Sequence, residues 1–259
     1  MTDLADDLKL ALALADAADQ ISLARFKALD LLVEEKPDAS PVTDADRAVE
    51  HALTKMLAEA RPNDALIGEE FGSHGVSQRT WIIDPIDGTA NYMRGVPVWA
   101  TLIALAIDGK PVVGVVSAPA LGRRWWAAAG HPAQTIDIDG SVRDIQVSKI
   151  GDLANASLSY NNLKLWDAAG KAEQLLAAAR AVWRTRAYGD FWSYMLLAEG
   201  TLDAVAEHDL KIYDIAALVP IVEAAGGTLT AIDGPLTPDT SSTLATNGLL
   251  HEKFRALFA

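Results

Sequence analysis

Residues 81–89 constrain this chain more than any other stretch: Trp81-Ile82-Ile83 runs directly into Asp84-Pro85-Ile86-Asp87-Gly88-Thr89. The apolar run reads as a strand, and residues 84–88 read as a tight turn. Pro85 fixes its own backbone and restricts Asp84. Gly88 permits a close backbone approach. One strand earlier, Ala65-Leu66-Ile67 ends in Gly68-Glu69-Glu70. Alternate residues on a strand face opposite ways, but strand ends and turns can converge. Two carboxylates about 4 Å apart repel by roughly 4 kcal/mol at an effective dielectric of 20. Four acids in one pocket therefore demand protons or cations. Hard divalent cations prefer oxygen ligands, and Mg²⁺ keeps waters and accepts a substrate phosphate as a further ligand. Taken singly, each acid reads equally well as a solvated strand end or a helix cap; the whole arrangement does not.

The remaining patterns place this unit in a layered α/β chain. Leu4, Leu8, Leu12 and Ile21 recur at helical spacing, predicting one long helix that ends before Glu34-Glu35-Lys36-Pro37-Asp38. Pro37 and Pro41 mark an irregular connection. Thr43, with Asp46 three residues on, caps a second helix whose apolar face is Val49, Leu53 and Leu57. Strands are expected over 98–107, 112–117 and 124–129, then a hairpin over 136–147 turning at Asp139-Gly140. The second half alternates: strands at 158–160, 182–188, 202–206 and 228–232, and helices at 168–180, 191–199, 215–225 and 249–258. The lobe boundary is expected near residues 145–155. Residues 1–148 then form a lobe with a largely antiparallel sheet and most metal ligands. Residues 149–259 form an α/β lobe carrying the substrate-recognition residues and Asp214. The two are lobes of one unit.

Charge excludes some partners. With 35 acidic and 22 basic residues the formal net charge is −13, which argues against nucleic-acid binding. An anionic substrate then needs positive charge from elsewhere, and metal ions supply it. There is no cysteine, so disulfides, thiolate zinc sites and cysteine nucleophiles are excluded together. The start, Met1-Thr2-Asp3-Leu4, is acidic where a signal peptide is basic, and the longest apolar runs are too short to span a bilayer. A cytoplasmic protein without membrane contact is expected.

Gly68-Glu69-Glu70, the stretch from Trp81 to Tyr92, and Tyr213-Asp214-Ile215-Ala216-Ala217 resemble the three signatures of the inositol monophosphatase family. Those proteins are magnesium-dependent phosphomonoesterases. The resemblance spans essentially the whole chain and implies a layered αβαβα sandwich and a homodimer. It implies that Glu69, Asp84, the Ile86 carbonyl, Asp87 and Asp214 bind two or three Mg²⁺ ions. Glu70 would support them, and Lys36 and Asp46 would help hold an additional metal and its water. Thr89 would orient the attacking water, relayed to a carboxylate such as Glu69. The Gly88 and Thr89 amides would receive phosphate oxygens, as exposed amides after a turn favour anions. The family's common Trp-Asp is here Tyr213-Asp214, which keeps the aromatic, and Ala90 lies where relatives vary.

The substrate must be read outside the metal set. The stretches 94–100, 115–127, 183–191 and 245–251 resemble the histidinol-phosphatase branch found in actinobacteria. Histidinol phosphate carries an ammonium and an imidazole, and both want acceptors. Asp190, at a helix start, and Glu207, seven residues before Asp214, are the candidates to face them; Arg186 matches a position near the substrate. Two carboxylates facing a cationic ligand would exclude neutral inositol by leaving charges unpaired. Asp190 also fits an ordinary helix N-cap. Arg123 and Arg124 are expected at a solvated strand end or subunit contact, Trp99 in the core, and at least one of Trp125 and Trp126 in the core or dimer interface. His51, His74, His131 and His251 show no ligand spacing, and His208 sits beside Glu207. Residues 72–79 are expected to form a mobile loop near the metals. The alternatives are an inositol-phosphate or other sugar-phosphate phosphatase, a non-catalytic binding module of the same fold, and a calcium-stabilised structural protein.

Overall fold

The computed structural model describes residues 4–37 and 40–259; residues 1–3 and Asp38, part of the acidic start and of the Lys36-Pro37-Asp38 stretch, lie outside them. Helix α1 (Ala5–Arg25) is followed by a two-stranded ribbon, β1 (Val33–Glu35) and β2 (Pro41–Thr43), and by α2 (Asp44–Ala60). Thr43 and Asp46 form the expected capping box. The strands of the first sheet are β3 (Ala65–Gly68), β4 (Gly72–His74), β5 (Arg79–Asp87), β6 (Ala100–Ile107), β7 (Lys110–Ala118), β8 (Arg123–Ala128), β9 (Gln134–Ile136) and β10 (Val142–Asp144), with α3 (Thr89–Met93) after β5. They order as β10-β9-β8-β7-β6-β5-β3-β4, antiparallel except where β3 meets β5.

Period-two alternation along β5 explains the layering. Trp81 and Ile83 point to one face, where α1 and α2 bury Ala11, Leu14, Val49 and Leu53. Ile82 points to the other, towards a cluster with Phe191, Met195, Ile221 and Val222. Those residues come from the second half: β11 (Ser157–Tyr160), α4 (Leu163–Ala168), α5 (Ala172–Ala181), β12 (Arg184–Arg186), α6 (Asp190–Ala198), β13 (Ala204–His208), α7 (Ile212–Ile215), α8 (Leu218–Ala224), β14 (Thr228–Thr230), β15 (Ser242–Thr246) and α9 (His251–Phe258). The second sheet orders β12-β11-β13-β15-β14, parallel through the first three strands and antiparallel at β15. Helices α6 and α8 lie between the sheets, and Trp166, Leu175, Phe254 and Phe258 of α4, α5 and α9 cover the far face. The result is an αβαβα sandwich whose central core is shared by both halves.

Several elements differ from expectation. Helix α1 stops at Arg25, not before Glu34. Arg25 pairs with Asp30 and Asp44, and Phe26 leaves the helix in an extended conformation to pack 5.3 Å from both Tyr92 and Trp99. The helix expected over 168–180 starts later, as α5 at Ala172, and a short α4 not expected from the sequence precedes it, the two separated at Gly170, where φ is +68°. The one expected over 215–225 starts earlier and divides into α7 and α8. Residues 72–74 of the expected loop pair with β3 as an edge strand. The local pattern does not predict β15; its place is set by ladders to β13 and β14.

Candidate active site

The pairing of β5 with β6 is regular from Arg79↔Ile107 to Asp84↔Leu102, then skips to Asp87↔Ala100. Residues three apart on a regular strand face opposite ways. The extra residue here is a bulge, which turns Asp84 and Asp87 to one side. Thr101 Oγ1 pins the bulge by donating to the Pro85 carbonyl at 2.8 Å. Gly88 then takes φ +86° to start α3, with the Val98 carbonyl 3.0 Å from where a Cβ would sit. Neither the dihedral nor the space suits a side chain there.

The Gly68-Glu69-Glu70 turn is held from below by Glu50 of α2, 1% exposed. Its carboxylate accepts the Glu70 and Phe71 amides at 2.8 and 2.9 Å. A Cβ on Gly68 would lie 1.9 Å from Glu50 Oε1, so a side chain there would displace the Glu50 carboxylate from the turn. Above the turn, Lys36 Nζ lies 2.7 Å from Glu69 Oε1 and 2.6 Å from Glu70 Oε1. Burial works against the lysine's charge, but the two carboxylates outweigh it and raise its pKa above the ordinary value. Burial pushes Glu70 up to about 7 even against the pull of Lys36.

Asp84, Asp87 and Asp214 each offer an oxygen within 4.8 Å of the others. Asp84 is 2% exposed, also touches the Glu69 carboxyl, and has one oxygen, Oδ1, buried without a partner. Burial, then the charges of Glu69, Asp87 and Asp214, hold its pKa well above the carboxylate range. Burial and Asp190 do the same to Asp87. Burial pushes Asp214 up to about 7. The remaining oxygens are fixed by backbone: Asp87 Oδ2 accepts the Phe191 amide at 2.7 Å and Asp214 Oδ2 the Lys211 amide at 2.6 Å. Among the described residues no basic side chain forms an ion pair with these three aspartates. An all-oxygen set with an orphaned buried atom and mutual repulsion suits hard divalent cations. Lys36 and Asp46 border this set, Lys36 through Glu69 and Asp46 through Thr89.

Thr89 Oγ1 lies 3.0 Å from the Ile86 carbonyl and 3.2 Å from Asp46 Oδ1, and its single proton can go to either. The carboxylate in reach of Thr89 is thus Asp46, whereas Glu69 is engaged by Lys36. Asp46 is fully buried, with Oδ2 taking hydrogen bonds from the Thr43 amide and hydroxyl; burial pushes its pKa up to about 6. The first amide of the α3 ladder is that of Asn91, donating to Gly88, so the Thr89 amide stands ahead of it.

Beyond the aspartates lies a hollow of about 50 Å³ lined by Asp87, Asn161, Asp190, Tyr194, Glu207 and Asp214 among others. It borders a cleft of about 420 Å³ that Tyr160, Leu165 and Tyr188 help to line. Asp190 opens α6 at φ +52° and does not cap it; Asp87 satisfies the Phe191 amide instead. Asp190 Oδ2 accepts from Asn91 Nδ2 at 3.0 Å, and burial pushes its pKa up to about 6. Glu207, 1% exposed, accepts from the Tyr194 hydroxyl at 3.0 Å through Oε2, while Oε1 is buried without a partner. Burial, then Asp190, pushes it up to about 8. Arg186 is not brought to these acids: its guanidinium is exposed on β12 and donates to the Thr185 carbonyl.

Sequence reasoning did not single out Glu50, Asn91, Asn161 or Tyr194. A signal existed for Glu50: it follows Asp46 by four residues, which puts both acids on one helix face. Of the two expectations for the arginines, a solvated strand end or a subunit contact, the first does not hold: both are mostly buried and paired, Arg123 with Asp137 and Glu199, Arg124 with Asp16 and Asp19. Trp99 and Trp125 are core residues, and His251 is a buried packing residue bonded to Thr230 and Thr246. His208 faces away from Glu207, edge-on to Trp166 at 4.6 Å.

Comparison with known proteins gives a consistent picture. The family model described as "Inositol monophosphatase family" matches residues 3–259. A protein named histidinol-phosphatase from Streptomyces coelicolor is 53% identical over 257 residues, covering 98% of this chain and 97% of its own. One of the same name from Mycobacterium tuberculosis is 54% identical over 250 residues, covering 96% of each. Among solved structures, an inositol monophosphatase from Zymomonas mobilis superposes with a TM-score of 0.87 at 34% identity, over 100% of this chain and 99% of that one.

Proposed function

The chain belongs to the inositol monophosphatase family and is a phosphoric monoester hydrolase, and from that premise we propose that it hydrolyses L-histidinol phosphate to L-histidinol and phosphate, as a step in histidine biosynthesis. One observation carries the substrate: the hollow beside the aspartate cluster is walled by two further buried acids, Asp190 and Glu207, with no basic side chain paired to either among the described residues. A cationic ligand resolves that repulsion, and a neutral polyol leaves it standing. The two relatives of about half identity bear the same substrate in their names.

In this reading Asp84, Asp87 and Asp214, with Glu69 and the Ile86 carbonyl, would hold two or three Mg²⁺ ions. When bound, these supply Lewis-acid activation of water and neutralise charge on the phosphate and the departing oxygen. The chain's own residues do the rest. Thr89 Oγ1 accepts a hydrogen from the attacking water while passing its own proton towards Asp46 Oδ1. Amides at the start of α3, those of Gly88 and Thr89, orient the phosphate oxygens. Glu50 and Lys36 keep Glu69 and Glu70 in place. Asp190 and Glu207 hold the organic half, fixing the ester for in-line attack. A homodimer in the cytoplasm completes the proposal; among the described residues no helix is long and apolar enough to cross a membrane.

The test is phosphate release with Mg²⁺ from histidinol phosphate and inositol 1-phosphate, side by side, with a chelator control. A strong preference for the first is expected. Preference for the second would discard the substrate while keeping the metal chemistry.

A further inference from the structure

Two acids do not account for the whole wall of the small hollow. Asn161 lines it too, and its amide orientation is fixed by a neighbour. Nδ2 donates to the His208 carbonyl at 2.7 Å, leaving Oδ1 as the end offered to the hollow, buried and without a partner. Glu207 offers a second such oxygen, Oε1. Asp190 supplies a third acceptor, a carboxylate with one oxygen held by Asn91. The Tyr194 hydroxyl is spent on Glu207 and Thr243. The free polar atoms of this wall are therefore all oxygens.

A hydroxyl brings one donor and turns its own lone pairs on such a wall. A primary ammonium brings three donors and no acceptor. Size agrees: the hollow, about 50 Å³, is much smaller than the adjoining cleft of about 420 Å³. A five-membered ring belongs in the adjoining cleft, among Tyr160, Leu165 and Tyr188. The hollow also shares Asp87 and Asp214 with the metal cluster, so its occupant is close to the ester.

We propose that Asn161 Oδ1, Glu207 and Asp190 form a three-acceptor subsite for a primary ammonium on the carbon next to the ester methylene, with Asn161 as a specificity-determining residue. The substrate class is thus the 2-aminoalkyl phosphates. The proposal rests on the phosphomonoesterase reading above and deepens it.

The experiment compares kcat/KM for histidinol phosphate, for imidazolylpropyl phosphate (the same ester without the amine) and for inositol 1-phosphate. The intact protein is expected to favour the amine ester over its des-amino twin by about a hundredfold. Asn161→Leu is expected to lower that ratio about tenfold, chiefly through KM for the amine ester. A ratio near one in the intact protein overturns the subsite and needs no variant. A ratio unchanged in Asn161→Leu, with both esters slowed alike, overturns the role of Asn161. The inositol arm separates this from the wider reading. If inositol 1-phosphate wins while the amine ester still beats its twin, the substrate assignment falls and the subsite stands. If histidinol phosphate beats inositol 1-phosphate but only equals its twin, the subsite falls and the assignment stands.

Discussion

The two ends of the acidic site differ in how the fold treats negative charge. At the Glu69-Glu70 end the chain brings its own cation, with Lys36 within 2.7 Å of both carboxylates. Glu50 adds backbone clamping beneath. At the Asp190-Glu207 end no basic side chain pairs with either acid among the described residues, and Glu207 keeps an oxygen buried and unpartnered. No partner cation is built in here, and burial instead raises the pKa values of Asp190 and Glu207 to about 6 and about 8. In the proposed reading Lys36 and Glu50 hold the first end in shape, whereas the unpaired acids of the second end would await a cationic ligand. The aspartates between the two ends share this second character, and in the proposed reading metal ions would be their cations.

The largest effect that tests this contrast is at the aspartates. Asp87→Asn keeps an oxygen for the Phe191 amide but removes the charge. Turnover with Mg²⁺ should fall on the order of a thousandfold, with the near-ultraviolet circular dichroism unchanged. Near-normal activity would mean that the cluster is not catalytic. Next are the bare acids. Asp190→Ala or Glu207→Ala should raise KM for histidinol phosphate about tenfold to a hundredfold, and raise it far less for a small neutral phosphate ester. Equal effects on both esters would make this end part of the frame as well.

The frame itself is tested by Gly68→Ala. The new methyl would meet Glu50 Oε1 at 1.9 Å, and overpacking of this kind costs about 1–3 kcal/mol. A drop in Tm of about 2–10 °C is expected, with a higher Mg²⁺ half-saturation because Glu69 moves. A drop in Tm with no change in Mg²⁺ dependence would confine Glu50 to stability.

The legible part of the site owes its legibility to contiguity. Glu69 and Glu70 stand side by side, and Asp84 and Asp87 share one turn, so the acidic cluster announces itself. Asp214 lies more than a hundred residues on and is reached only through the family resemblance of Tyr213-Asp214. The bulge that turns Asp84 and Asp87 together is a property of pairing with β6, which no local pattern reports. Asn161 and Asn91 stay hidden because uncharged amides form no charge pattern; they lie just after β11 and within α3, meeting Asp190 and Glu207 only when the layers close. The end of α1 escapes local reading for a similar reason. Leucines continue beyond it at 29, 31 and 32, but Phe26 is drawn out of the helix by Tyr92 and Trp99, distant in sequence.

The least direct test is the slope of stability with pH in the metal-free protein, and its sign is set by the raised pKa values. Asp190 and Asp46 sit at about 6, Asp214 and Glu70 at about 7, and Glu207 at about 8. In the unfolded chain these groups titrate near 4. Between roughly pH 4 and 8 the folded state therefore holds protons that the unfolded state has released. Stability is then highest at the acid side of this window and falls as pH rises through it. Each proton so retained tilts stability by about 1.4 kcal/mol per pH unit, or about 3–6 °C in Tm. Calorimetry from pH 5 to 8 with a chelator should show Tm falling. Saturating Mg²⁺ should remove most of the aspartate contribution, because metal displaces those protons. The share from Asp190 and Glu207 should persist with Mg²⁺ and disappear only when an amine-bearing product such as histidinol is added. A slope that Mg²⁺ alone erases would mean the bare end is neutralised by metal too, and would dissolve the distinction between the two ends.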